Sequence, residues 1–330
     1  MNRYRKILAI LAVLVLAACV LAGCSKAEPV DVRVAALKGP TAMGMVSFME
    51  KADSGKYTDN KYSFQLMGAV DEVSPLLVKG DIDIAALPAN LASVLFNNTD
   101  GGVEVLAVNT LGVLYIVENG SAVSSVEDLR GRKIYASGKG ATPEYALNYI
   151  LKGNQIDPDS DVTIEWKSEH AECLAALMEE EGAIAMLPQP FITTAQTKSD
   201  KVRVALDLNA EWDKLQKDSE NPSGLITGVV VARKEFARNN PDAVEMFLKH
   251  YLDSVEFVNT NNSEAAALIG SYGIVPEEVA KKAIPACNIV YITGKQMKEI
   301  LSGYLETLFE QNPKAVGGAL PTDGFYYGAD

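Results

Sequence analysis

Four short strings in this chain pair a backbone-shaping residue with a small hydrogen-bonding side chain. They are Gly39-Pro40-Thr41, Pro88-Ala89-Asn90, Lys139-Gly140-Ala141-Thr142 and Pro188-Gln189-Pro190. Each follows an apolar run and opens a helix-like stretch. A helix start leaves N–H groups unpaired and carries the positive end of the helix dipole, so it favours an anion or a carbonyl oxygen. Gly39 and Gly140 let backbone approach a ligand closely. Thr41, Asn90, Thr142 and Gln189 offer short neutral hydrogen bonds. Lys38 and Lys139 stand beside the glycines and can add charge. Thr41 and Thr142 would equally suit plain helix capping, and the prolines plain helix initiation. The chemistry these residues offer is noncovalent recognition.

Material for covalent chemistry is thin. There are two His. His170, in Ser168-Glu169-His170-Ala171-Glu172-Cys173, lacks the H-E-x-x-H order of a zinc helix; Glu169, Glu172 and Cys173 could ligate a metal in principle, but the segment reads as a solvated helix face. His250 sits mid-helix as a packed or surface residue. No G-x-S-x-G elbow occurs. Lys133 stands where a P-loop needs its first Gly, and Gly140 where it needs Ser or Thr. Asp81/Asp83 and Glu179-Glu180-Glu181 read as solvated strand and helix ends. No catalytic residue, metal or cofactor is expected.

The elements that must position the corners alternate. Strands are predicted near 30–37, 62–66, 82–87, 103–108, 111–118, 133–136, 162–166, 183–187, 202–206 and 225–232. Helices fall between most of them. After Pro241 the chain turns helical, over 242–259, 263–272, 276–286 and 294–311. Strand–helix alternation predicts an α/β protein with parallel sheets. Lys38-Gly39-Pro40-Thr41 recurs as Lys139-Gly140-Ala141-Thr142, and Ile84-Ala85-Ala86-Leu87-Pro88 as Ile184-Ala185-Met186-Leu187-Pro188. Their common order and spacing predict two lobes of like construction. Residues 31–109 plus 234–330 would form lobe I, and 110–233 lobe II. The crossings would lie at Asn109-Thr110 and near 232–241, with the C-terminal helices on lobe I. Ligands of open α/β sheets bind beyond the carboxyl ends of the strands, so the four corners should share one interlobe cleft. Tyr115 and Tyr145 lie near the first crossing and a corner; they would either stack on a planar ring there or pack in the core.

The start of the chain is an address. Arg3, Arg5 and Lys6 precede an uncharged run from Ile7 to Gly23. That pattern is a secretory signal, too short for a comfortable membrane span. Leu21-Ala22-Gly23-Cys24 resembles the bacterial lipoprotein signal, which implies cleavage after 1–23 and a diacylated Cys24. Residues 24–30 would be anchor and linker. Leu16-Ala17-Ala18-Cys19 is a second candidate; Cys24 is preferred because cleavage before Cys19 would leave Val20-Leu21-Ala22 exposed. The body would then lie outside the cytoplasm, on the outer face of the membrane. Contact with that membrane would run through the lipid anchor alone.

With 48% hydrophobic residues the chain is not disordered, and four Cys are too few for a disulfide scaffold. The net charge of −13 repels nucleic acid and anionic membrane. Cys173 and Cys287 fall in different lobes, so two buried free thiols are expected rather than a bridge.

A family resemblance gathers these features. Gly80-Asp81-Ile82-Asp83-Ile84-Ala85 looks like a strand of solute-binding proteins of the nitrate/sulfonate/taurine and thiamine-precursor type. Ser125 to Gly131, Lys133-Ile134 and Gly138-Lys139-Gly140 resemble their S-x-x-D-L-x-G-K-x-I segment with its glycine-rich corner. Val229 to Phe236 with Asn240-Pro241 resembles their return strand and helix. The resemblance implies a type II periplasmic-binding-protein fold, two α/β lobes with a ligand cleft between them. It also implies delivery of a small solute to an ABC permease and its ATPase, by a protein acting as a monomer. Family ligand contacts would fall on the four corners, including Ala141, with Asn109 and Thr110 at the crossing. The corners lack Arg, which argues against a doubly charged anion. A sulfonate, a carboxylate or a thiamine-precursor pyrimidine fits; bare nitrate would leave the cleft wet. An exported sensor lipoprotein, or an enzyme working in the same cleft, would share the architecture.

Overall fold

Alternation at Val32-Arg33-Val34 starts the first strand of a sheet that the chain leaves and re-enters. The computed structural model describes residues 28–217 and 223–329. The signal, Cys19 and Cys24 lie outside the described residues. The first sheet contains β1 (Asp31–Leu37), β2 (Lys61–Met67), β3 (Ile84–Pro88), β4 (Val103–Leu111), β10 (Ile226–Arg233) and β11 (Ile289–Ile292), in the order β11-β4-β10-β3-β1-β2. The second contains β5 (Leu114–Asn119), β6 (Lys133–Ser137), β7 (Thr163–Lys167), β8 (Ile184–Pro188) and β9 (Val202–Asp207), in the order β7-β6-β8-β5-β9. In the first sheet β1 pairs parallel with β2 and β3, and in the second β6 pairs parallel with β7 and β8. A strand arriving from the other lobe then runs antiparallel, β10 between β3 and β4 and β5 between β8 and β9. This shared order is the structural content of the sequence repeat. It is the two-lobed α/β arrangement of type II periplasmic binding proteins.

β3 and β8 read as unbroken apolar runs because both faces of a central strand are covered; Ile84 to Leu87 and Ile184 to Leu187 are all buried. The same physics corrects the lobe boundary. An end of lobe II at 233 would put Val229 to Ala232 in the second sheet. That run is buried on both faces and pairs instead with β3 and β4, Val230 standing opposite Ala86 and Ala107. The second crossing therefore lies upstream, between Gln216 and Ile226, and the first at Gly112-Val113. Asp83 is corrected too. It is buried, and it receives Arg33 Nη2 at 2.7 Å and Arg233 Nη2 at 2.8 Å, tying β1 and β10 to the start of β3. Burial alone would raise its carboxyl. Hydrogen bonds from the two guanidinium groups outweigh that and hold it below the ordinary carboxylate range.

The helices Pro241–Thr260, Asn262–Ser271 and Glu277–Ala283 pack on the first lobe, around Phe48, Phe247 and Tyr251. The last helix, Gly294–Gln311, does not stay with one lobe. Leu301, Tyr304 and Leu305 join a core that includes Leu114, Leu147 and Trp212 of the second. Tyr149, Trp212 and Tyr304 pack one after another with tilted rings, centroids 4.4 Å and 5.6 Å apart. Cys173 and Cys287 are free and buried, in separate core clusters. Among the described residues no helix is long and apolar enough to cross a membrane.

Candidate functional site

Three parallel strands per lobe end in six strand-to-helix corners, and all six border one cavity of about 780 Å³. Four are the expected ones. Gly39, Pro40 and Thr41 follow β1, and Pro88 ends β3. Across the cleft, Lys139 to Thr142 follow β6 and Gln189 follows β8. Gly39 at φ 139° and Gly140 at φ 77° hold conformations that side-chain-bearing residues rarely adopt. The other two corners were not singled out by sequence. Gly68 to Asp71 follow β2, and Ser168 to Ala171 follow β7. The rule that selected four corners would have found them, had it been applied to every parallel strand.

Asn90, Asn109 and Thr110, expected among the ligand contacts, do not line the cavity. All three are fully buried. Asn90 Oδ1 accepts from Thr142 N at 3.0 Å and from Thr142 Oγ1 at 3.3 Å. Its Nδ2 donates to Gly140 O at 3.4 Å and Ala315 O at 3.1 Å. Asn90 is thus a brace between the lobes. Thr110 Oγ1 donates to Asn109 Oδ1 at 3.1 Å, so those two partner one another within β4. Tyr115 and Tyr145 are absent from the cavity wall and pack against the cores.

The corner hydroxyls are also largely engaged. Thr41 Oγ1 donates to Leu37 O at 2.9 Å. Thr142 Oγ1 accepts from Tyr304 OH at 2.9 Å while donating to Asn90. Gln189 Oε1 accepts from Thr193 Oγ1 at 2.8 Å. These corners contribute shape and backbone more than free side-chain donors.

Charge enters from both lobes. Lys38 and Lys139 line the cavity, are exposed, and have no ion-pair partner among the described residues. Lys167 also lines it, with Nζ 2.7 Å from Glu165 Oε1. Asp71 and Glu169 stand in the same wall. The cleft is therefore locally richer in cations than a molecule of charge −13 would suggest.

The segment 168–173 is not wholly the solvated helix face expected, since Cys173 is buried and His170 faces other protein groups. His170 lines the cavity at the start of the helix His170–Glu179, with Nδ1 2.6 Å from Ser137 Oγ and its ring 5.3 Å from that of Phe191. Burial pushes the imidazole down to about 4. A Ser–His pair invites a hydrolase reading. Such a base, however, needs a pKa nearer neutrality and a third group to orient it. No carboxylate is bonded to His170 among the described residues. Thr227, on β10, also lines the cavity and has no corner motif to announce it.

Residues 56–274 match the family described as the periplasmic phosphonate substrate-binding protein of ABC transporters. No curated protein matches the chain by sequence. An ABC transporter protein from Parabacteroides distasonis superposes with a TM-score of 0.73 at 23% identity, over 89% of this chain and 98% of that one. The periplasmic aliphatic sulphonate binding protein of Escherichia coli gives 0.71 at 16% identity, over 91% and 92%. The alkanesulfonate-binding protein of Xanthomonas axonopodis pv. citri, bound to MOPS, gives 0.68 at 14%, over 90% and 96%. At these identities the likeness is one of fold.

Proposed function

Because the chain belongs to the phosphonate-type periplasmic substrate-binding proteins of ABC transporters, we propose that it captures a small polar or anionic organic solute in its interlobe cleft and delivers it to an ABC importer. The observation that carries this is the pair Lys38 and Lys139. They reach one cavity from opposite lobes, and neither has an ion-pair partner among the described residues. A cavity of about 780 Å³ suits an organic molecule; a bare inorganic ion would leave most of it wet. Leu91, Val113, Phe191 and Ile274 in the wall favour an apolar body behind the charged group.

The partners are an ABC permease and its ATPase. The protein works as a monomer, held at the outer face of the membrane by a lipid on Cys24. Binding and release suffice; no bond of the solute is broken. Untargeted mass spectrometry of solute co-purified from the native host is the deciding experiment. A small organic anion, recovered unchanged after incubation, supports the reading. A turned-over product would favour an enzyme instead. A ligand that binds without stimulating the ATPase of the neighbouring permease would favour a sensor.

A further inference from the structure

The last helix, Gly294–Gln311, is fastened to the first lobe at both ends. It follows β11, and the turn after it is held by polar side chains of the helix Ala89–Asn98. Asn90 Nδ2 donates to Ala315 O at 3.1 Å, Ser93 Oγ to Val316 O at 2.8 Å and Asn97 Nδ2 to Val316 O at 2.8 Å. Between those anchors Tyr304 reaches across and donates its hydroxyl to Thr142 Oγ1 of the second lobe at 2.9 Å. Tyr304 is absent from the cavity wall. We propose that Tyr304 is a positioning residue for the cleft: it turns the Thr142 hydroxyl onto Asn90 and so fastens the Lys139–Thr142 corner to the first lobe. It does so without touching the solute.

Each proton in this set of bonds has one place to go. Tyr304 is 0% exposed, and Thr142 Oγ1 is the partner of its hydroxyl. Burial pushes the phenol well above its ordinary range, so it keeps its proton and donates. The amide of Asn90 is oriented by two partners that cannot exchange roles. Thr142 N–H can only donate, and the Ala315 carbonyl can only accept. Oδ1 therefore faces Thr142. The Thr142 hydroxyl accepts from Tyr304 and has its own proton left, for which Asn90 Oδ1 lies 3.3 Å away. Thr142 borders the cavity but is 0% exposed, as is Asn90, so water replaces neither partner. The bonds run from Tyr304 through Thr142 and Asn90 to Ala315. They begin and end on the C-terminal segment and pass through one corner of each lobe. Because Tyr304 and Asn90 are both held by the first lobe, a rotation that parts the lobes takes Thr142 away from the two together.

The test reads the Thr142 amide, whose N–H meets Asn90 across the lobes. Its hydrogen exchange is followed by NMR on the mature chain at neutral pH, with no solute added. In the wild type Thr142 should exchange more slowly than an unprotected amide. Tyr304→Phe keeps the ring against Trp212 and should speed exchange at Thr142 by about 5-fold or more, the loss of one buried hydrogen bond. The Phe48 amide, held by Ser254 Oγ at 3.1 Å inside the first lobe, should not change. Thr142→Ser keeps the hydroxyl and should retain slow exchange at that position. Thr142→Val removes it, strands the Tyr304 hydroxyl and should speed exchange. Adding Tyr304→Phe to Thr142→Val should slow exchange again, because no buried hydroxyl is then left unpaired. Unchanged exchange at Thr142 in Tyr304→Phe overturns the assignment. So does equal acceleration at Thr142 and Phe48, which would mark an ordinary stabilising contact, and so does an unprotected Thr142 amide in the wild type. Capture of an anionic solute would stand in each of these cases.

Discussion

Asn90 and Thr142 meet across the cleft, with Thr142 N 3.0 Å and Thr142 Oγ1 3.3 Å from the same Asn90 oxygen. One residue follows β3 of the first lobe and the other follows β6 of the second. Each is the first-turn residue of its helix, so two corners of the repeat are joined by the atoms that would otherwise cap them. The contact makes lobe closure and corner geometry one equilibrium.

Asn90→Ala should therefore open the molecule. It leaves Thr142 N without its acceptor, at a cost of about 1–3 kcal/mol to the form in which the lobes touch. Affinity for the co-purified solute should fall about 5- to 100-fold although Asn90 does not line the cavity. Calorimetry checks it, and an unchanged affinity would show that the brace does not contribute to closure.

Hinge motion is the corresponding prediction for the wild type. Tyr304 and Leu301 tie both lobes into one core, so movement should be a rotation about that core. Small-angle scattering should report a smaller radius with solute than without. Equal radii in the two states would sink this.

Asp83 should govern part of the acid sensitivity. Its folded carboxyl lies below its unfolded value, so its contribution is complete above about pH 4 and is lost as pH falls through the folded value. Asp83→Asn removes the buried anion between Arg33 and Arg233, which should cost about 3–5 kcal/mol at neutral pH. The variant's melting temperature should then fall less than the wild type's between about pH 5 and pH 3. Parallel pH profiles would refute the assignment.

His170 works in the opposite sense. Its folded pKa is lowered to about 4, so the unfolded chain takes up a proton first as pH drops below about 6.5, and the folded state loses ground until pH 4 is reached. His170→Phe should melt higher than the wild type near pH 5, relative to their difference at pH 7.5. Thermal scans at the two pH values decide it; a constant difference counts against a neutral imidazole in the folded state.

Cys24→Ala should release the protein from membranes of its native host, read by fractionation. Full retention of that variant, together with release of Cys19→Ala, would move the anchor to Cys19.

Local patterns determined much of this protein. The apolar run of β8, the Gly80 that ends the helix Val70–Lys79 at φ 80°, and the capping box at Ser125 and Asp128 are all written in neighbouring residues, because strand burial and helix ends are decided within a few positions. The paired strings around Gly39 and Gly140 likewise disclosed two lobes, since a repeat needs no knowledge of contacts. The edge strand Ile289–Ile292 is too short to show a period, whereas the helix Leu208–Gln216 carries one, Leu208, Trp212 and Leu215 at helical spacing, that the sequence reading passed over. What only the tertiary structure decided is which polar groups remain free. Asn90 finds Thr142 from 52 positions away and Asp83 finds Arg233 from 150. A linear sequence lists donors and acceptors but not which of them fold against each other. Thr142, prominent in sequence, is therefore engaged by protein, while the hydroxyl of Thr227 is buried on β10 without a hydrogen-bond partner.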